Sequence, residues 1–165
     1  MKSEAKELQA LAERLVREFT KKGLTISTAE SCTGGLIAKL VTDIPGSSAV
    51  LAGGCVSYTE RVKHRVLDVP TEVLERDTAV SVACAKAMAE GARRLFETDV
   101  AISATGYAGP GGGTDRDPVG TVYLGLATKE KTICKRIFVP DSTRETVREE
   151  AAKTALEMAL EAKEL

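Results

Sequence analysis

Leu24-Thr25-Ile26-Ser27-Thr28-Ala29-Glu30-Ser31-Cys32-Thr33-Gly34-Gly35-Leu36-Ile37-Ala38-Lys39-Leu40-Val41 is the stretch that decides the fold. Its first five residues, Leu24 to Thr28, alternate and carry β-branched side chains, which predicts a strand. Gly34 and Gly35 mark a turn, and Leu36 to Val41 reads as a helix that runs out at Asp43-Ile44-Pro45-Gly46. A strand that passes through glycines into a helix is the unit of an open α/β sheet, and Ser31 sits at the passage.

The flanking sequence repeats that alternation. Leu8, Leu11, Ala12, Leu15, Val16 and Phe19 recur at helical spacing up to Lys21-Lys22-Gly23, where Gly23 supplies a stop. A strand is expected from Val50 to Tyr58, interrupted by Gly53-Gly54. Thr59 would cap a helix carrying Val62, Val66 and Leu67 that stops before Pro70, and Thr71 to Leu74 starts another. Ser81 to Phe96 is a longer helix with Cys84, Met88, Ala92 and Leu95 on one face, and Val100 to Ala104 is an apolar strand buried on both faces. A long glycine-rich loop, Gly106 to Gly120, precedes two strands, Thr121 to Thr128 and Ile133 to Val139. A last helix runs from about Ser142 to the end. The expectation is one α/β domain over residues 1–165, a three-layer α/β/α sandwich on a mixed, mostly parallel sheet.

Composition narrows the partners. In 165 residues the formal net charge is -1, aromatic residues are 4% and tryptophan is absent. That gives no basic stripe with interleaved aromatics, so no nucleic-acid partner is expected. No apolar run approaches the ~20 residues of a membrane span, and Met1 to Lys6 leads into a charged segment without a signal core. Cys32, Cys55, Cys84 and Cys134 lie far apart, and three of them sit in apolar surroundings, as free thiols do in a reducing compartment. A cytoplasmic chain without metal or cofactor is expected.

Several residues could carry chemistry. At a strand-to-helix turn Ser31 would face the cleft beyond the strand ends, where open α/β sheets bind ligands. The backbone N–H groups of Cys32, Thr33, Gly34 and Gly35 would suit an oxyanion or a phosphate. Against this stands helix capping by Ser31 or Thr33, a commoner role for such residues. The single histidine, His64, lies in the charged run Arg61-Val62-Lys63-His64-Arg65, where a solvated position competes with any triad. A Ser–Lys arrangement is the alternative, with Tyr58 and Lys63 at a strand end and the next helix start. For each the competing reading is a surface side chain. Cys32 is a rival nucleophile, although neighbours at a tight turn generally point apart. Thr105 and Gly106 open the second glycine loop, whose amides could cradle a phosphate or ribose. Arg144 and Arg148 share a helix face and could pair a phosphate, although Glu145 and Glu149 offer them surface ion pairs.

Together these pieces are more specific than any one of them. Thr28 to Gly35, Asp43-Ile44-Pro45-Gly46-Ser47-Ser48, Tyr58 with Lys63, Ala79-Val80-Ser81, Thr105-Gly106 with Ala108-Gly109-Pro110, and Pro118-Val119-Gly120-Thr121-Val122 stand in the order of one family. The chain resembles the CinA C-terminal domain, nicotinamide mononucleotide amidase, over nearly its whole length. The resemblance implies hydrolysis of the carboxamide of that pyridine nucleotide to nicotinate mononucleotide and ammonia. It also implies a three-layer α/β/α fold and a homo-oligomer. Carried over residue by residue, Ser31 is the nucleophile, with Tyr58 and Lys63 as activating partners. Cys32, Thr33, Gly34, Gly35, Thr105, Gly106, Arg144 and Arg148 are substrate-binding candidates. Tyr107 and Asp117 depart from the family pattern, which often has a small aliphatic residue and a lysine there. Larger members carry an N-terminal pyrophosphatase-type domain, which is not expected within these 165 residues. The competing functions are a nucleotide-binding module without turnover and an interaction domain tied to competence or DNA damage.

Overall fold

The computed structural model of the chain describes residues 2–162. The first residue and the last three, on which part of the expected 1–165 domain and the end of the last helix fall, lie outside them. In chain order the elements are α1 (Lys2–Lys22), β1 (Ile26–Glu30), α2 (Leu36–Thr42), a 3-10 turn (Ser47–Ala49), β2 (Leu51–Val56), α3 (Glu60–Leu67), α4 (Thr71–Arg76), α5 (Val82–Phe96), β3 (Val100–Gly106), β4 (Thr121–Ala127), β5 (Thr132–Phe138) and α6 (Arg144–Glu161). Three helix starts have side-chain caps in place: Thr59, Ser81 and Thr143 each accept a hydrogen bond from the amide three residues on.

The five strands form one sheet in the order β2-β1-β3-β4-β5. β1 pairs in parallel with both β2 and β3, and β4 is antiparallel to both β3 and β5. Four strands therefore run one way and β4 alone opposes them, the mixed, mostly parallel sheet expected. One face is covered by α1, α2 and α6 through a core that includes Phe19, Ile37, Ile102 and Leu156. The other is covered by α3, α4 and α5 through Leu67, Leu74, Met88 and Ala92. The architecture is a three-layer α/β/α sandwich, and among the described residues no helix is long and apolar enough to cross a membrane.

Three details differ from the sequence expectation. β1 is displaced two residues toward Ser31, ending at Glu30, and is buried along its whole length because strands flank it on both sides. Gly53 and Gly54 do not interrupt β2 but lie within it. A Cβ on Gly53 would strike the Phe96 ring, and one on Gly54 would strike the Thr28 hydroxyl. Leu95 does not join the buried face of α5. It is 50% exposed near the helix end, while Ala85, Ala89 and Gly91 pack inward beside Cys84, Met88 and Ala92.

The order of connections creates the cleft. From β1 the chain crosses by α2 on one face to β2, then returns by α3, α4 and α5 on the other face to β3. β1 is thus the switch point of the parallel part, where open α/β sheets leave a crevice beyond the strand ends. In register, Glu30 stands between Val56 and Ala104, so Ser31, Ser57 and Thr105 all emerge at the same edge.

Candidate active site

At that edge Ser31, Cys32, Tyr58, Lys63, Thr105, Gly106 and Arg144 line one cavity of about 240 Å³. The Lys63 ammonium nitrogen lies 2.9 Å from Ser31 Oγ, 2.6 Å from the Ser57 carbonyl and 3.3 Å from the Tyr58 carbonyl. Lys63 is 1% exposed and Ser31 8%. Lys63 enters from the first turn of α3, which Thr59 anchors, and its stem runs inward beside Leu67 while His64 and Arg65 stay exposed. No carboxylate pairs with Lys63 among the described residues. Burial pushes its pKa down, against weaker opposing effects from Cys84, Cys32, Glu60 and Cys55.

His64 plays no part in this cluster. It is exposed, with Nδ1 2.9 Å from the Val69 carbonyl. Tyr58 is 56% exposed, and its hydroxyl accepts a 2.9 Å bond from Arg144 rather than contacting Ser31. The other arm of Arg144 donates to the Gly109 carbonyl at 2.7 Å, so this arginine ties the mouth of the cavity to the glycine loop. Cys32 is 5% exposed, and burial drives its thiol up to about 12, which leaves it protonated and poorly nucleophilic near neutral pH.

The remaining candidates divide. Thr33, Gly34, Gly35 and Arg148 line a neighbouring cavity of about 640 Å³, and Arg144 belongs to both. Arg148 donates to the Thr33 carbonyl at 3.0 Å, and a Cβ on Gly34 would collide with its guanidinium. Thr105 is 1% exposed and its hydroxyl donates to the Ala79 carbonyl at 2.6 Å, which fastens the α4–α5 connection against β3.

One residue passed over in the sequence is central here. Glu30 is 1% exposed, and its carboxylate accepts bonds from Thr33 Oγ1 at 2.7 Å, the Ile37 amide at 2.9 Å and the Ala38 amide at 3.0 Å. The first turn of α2 is therefore satisfied from within. The Gly34 amide is bound to the Ser31 carbonyl, while the Cys32, Thr33 and Gly35 amides have no carbonyl or side-chain oxygen partner among the described residues. A readable signal existed: an acidic residue beside a helix start is drawn to its free N–H groups.

The two departures have distinct settings. Asp117 is 6% exposed and accepts from the Tyr123 hydroxyl at 2.8 Å and from Arg136 Nε at 3.2 Å, so it braces the glycine loop against β4 and β5. Tyr107 lines the Ser31 cavity and packs over Gly112.

Comparison with known proteins agrees with this architecture. Residues 8–163 match the CinA C-terminal domain. A CinA-like protein of Myxococcus xanthus is 50% identical over 151 residues, which is 91% of this chain and 36% of that protein. The chain spans about a third of the length of the curated relatives it matches. The crystal structure of the competence/damage inducible protein CihA from Agrobacterium tumefaciens superposes with a TM-score of 0.92 at 42% identity, covering 96% of each chain. A competence-damaged protein (CinA) superfamily protein of Klebsiella pneumoniae superposes at 0.90 with 33% identity, over 94% of this chain and 97% of that one. The chain belongs to the CinA C-terminal domain family.

Proposed function

We propose that the chain, one domain over residues 1–165, is a serine amidohydrolase that converts nicotinamide mononucleotide to nicotinate mononucleotide and ammonia. The observation that carries this reading is the contact between Lys63 Nζ and Ser31 Oγ at 2.9 Å, with Lys63 buried and without a carboxylate partner among the described residues. A neutral amine has two hydrogens and one lone pair. The Ser57 and Tyr58 carbonyls take the two hydrogens, which leaves the lone pair for the Ser31 hydroxyl. A helix cap needs no such lysine.

Lys63 then takes the proton of Ser31 as Oγ attacks the carboxamide carbon. The Cys32 amide, adjacent to the nucleophile and without a carbonyl partner, is a donor for the oxyanion, and one such donor contributes ~3 kcal/mol. As the C–N bond breaks, the Lys63 ammonium returns its proton to the departing nitrogen and ammonia leaves an acyl-Ser31. Water attacks this ester with Lys63 accepting its proton. The second tetrahedral species collapses, Ser31 regains a proton and nicotinate mononucleotide is released. Arg144, and Arg148 in the adjoining cavity, supply positive charge for the nucleotide phosphate, with Thr105 and Gly106 at the cavity wall. The reaction needs no cofactor or metal in this scheme. It is placed in the cytoplasm, and the protein is taken as a homo-oligomer, which analytical ultracentrifugation tests.

Incubation of the purified chain with nicotinamide mononucleotide, followed by ammonia assay and identification of nicotinate mononucleotide, tests the reading. Stoichiometric formation of both products is expected. Binding measured by calorimetry without turnover would instead favour a nucleotide-binding module.

A further inference from the structure

Glu30 immediately precedes Ser31, and its carboxylate bonds to neither the Ser31 hydroxyl nor the Lys63 amine. Its carboxylate spans the turn that carries Ser31, reaching from the end of β1 to Thr33 Oγ1, the Ile37 amide and the Ala38 amide, with a longer 3.4 Å approach from Thr28 Oγ1. That turn contains Gly34 and Gly35 at φ +61° and +101°, and its own backbone contributes a bond from the Gly34 amide to the Ser31 carbonyl and one from Leu36 to Thr33. Without the carboxylate, two amides and one hydroxyl would lose their acceptor, and a buried donor left without a partner destabilises the turn that holds it.

The backbone of the same residue reaches the other partner. The Glu30 carbonyl accepts the Ser57 amide at 2.8 Å and is approached by the Ser57 hydroxyl at 3.5 Å. The Ser57 carbonyl in turn takes the 2.6 Å bond from Lys63 Nζ. Glu30 thus connects the turn bearing the nucleophile to the carbonyl that orients the amine. General acid–base chemistry is sensitive to such placement, because a displacement near 1 Å can lower a rate about a hundredfold.

We infer that Glu30 is a positioning residue that sets Ser31 Oγ against Lys63 Nζ through Thr33, the α2 amides and Ser57. The inference rests on Ser31 and Lys63 acting as a nucleophile and its base, but not on the identity of the amide substrate.

The test compares the full chain with Glu30→Gln. The readouts are kcat and KM for nicotinamide mononucleotide and the rate at which a fluorophosphonate labels Ser31, a reaction that needs no substrate. Glutamine keeps the length but turns an N–H toward one of the three donors. The expected result is a folded protein with kcat and labelling rate both lowered by about a hundredfold and KM little changed. Wild-type labelling by folded Glu30→Gln would overturn the inference, as would an effect confined to KM. If Glu30→Gln does not fold, Thr33→Val removes the hydroxyl donor alone. Slower labelling is then expected, and an unchanged rate overturns the inference. Should the chain leave nicotinamide mononucleotide intact while labelling still depends on Glu30, the substrate proposal fails and this one stands.

Discussion

Lys63 Nζ is 2.9 Å from Ser31 Oγ, and both residues are buried. Two backbone carbonyls take the other hydrogen-bonding directions of the amine. The pair is held by the ends of adjacent parallel strands and the first turn of α3, so its geometry derives from the sheet rather than from a mobile loop.

Lys63→Met keeps the buried stem and removes the base. Turnover should fall by about 10²–10⁴-fold, the range for one acid–base group. Tyr58→Phe removes only an exposed hydroxyl bound to Arg144 and should lower kcat much less. Steady-state kinetics on both variants decides between the two bases. A larger loss in Tyr58→Phe would assign the proton to Tyr58.

The pH profile follows from burial of Lys63. The amine is active when neutral, so kcat/KM should rise with pH through a midpoint below the usual 10.5 of lysine and level off above that midpoint. Stability should move the same way. Between the lowered folded value and 10.5, the unfolded chain holds a proton on Lys63 that the folded chain does not. The Lys63 contribution therefore rises with pH across that window and is absent from Lys63→Met. Urea titrations of both proteins at several pH values measure it.

Cys32 should not react with iodoacetamide near neutral pH, because burial drives its thiol up to about 12. Peptide mapping should find Cys32 unmodified in fully active protein. Labelling of Cys32 with parallel loss of activity would revive the thiol as nucleophile.

Gly91→Ala inverts the usual helix preference. Alanine in a helix interior normally stabilises, but here its Cβ would press on the Leu67 backbone carbonyl where α5 crosses α3. Overpacking of this kind costs about 1–3 kcal/mol, or roughly 2–4 °C in Tm per kcal/mol at this chain length. Calorimetry checks the sign as well as the size.

The strand–turn–helix around Ser31 is legible because glycines and β-branched residues act locally. The caps at Thr59 and Ser81 are legible for the same reason. Lys63 is not legible as buried, since Arg61 to Arg65 reads as a solvated run and only the packing of α3 under the strand ends draws one lysine inward. Glu30 is hidden likewise, because its donors lie three to eight residues ahead and depend on the turn already being formed. Arg144 reaches Tyr58 and Gly109 from the far end of the chain, a meeting that no local pattern encodes.

The most direct test of the account is ammonia release from nicotinamide mononucleotide by the intact chain and by Ser31→Ala, with circular dichroism confirming the fold of each. The account predicts steady release from the first and none above background from the second. Equal release from both would contradict it.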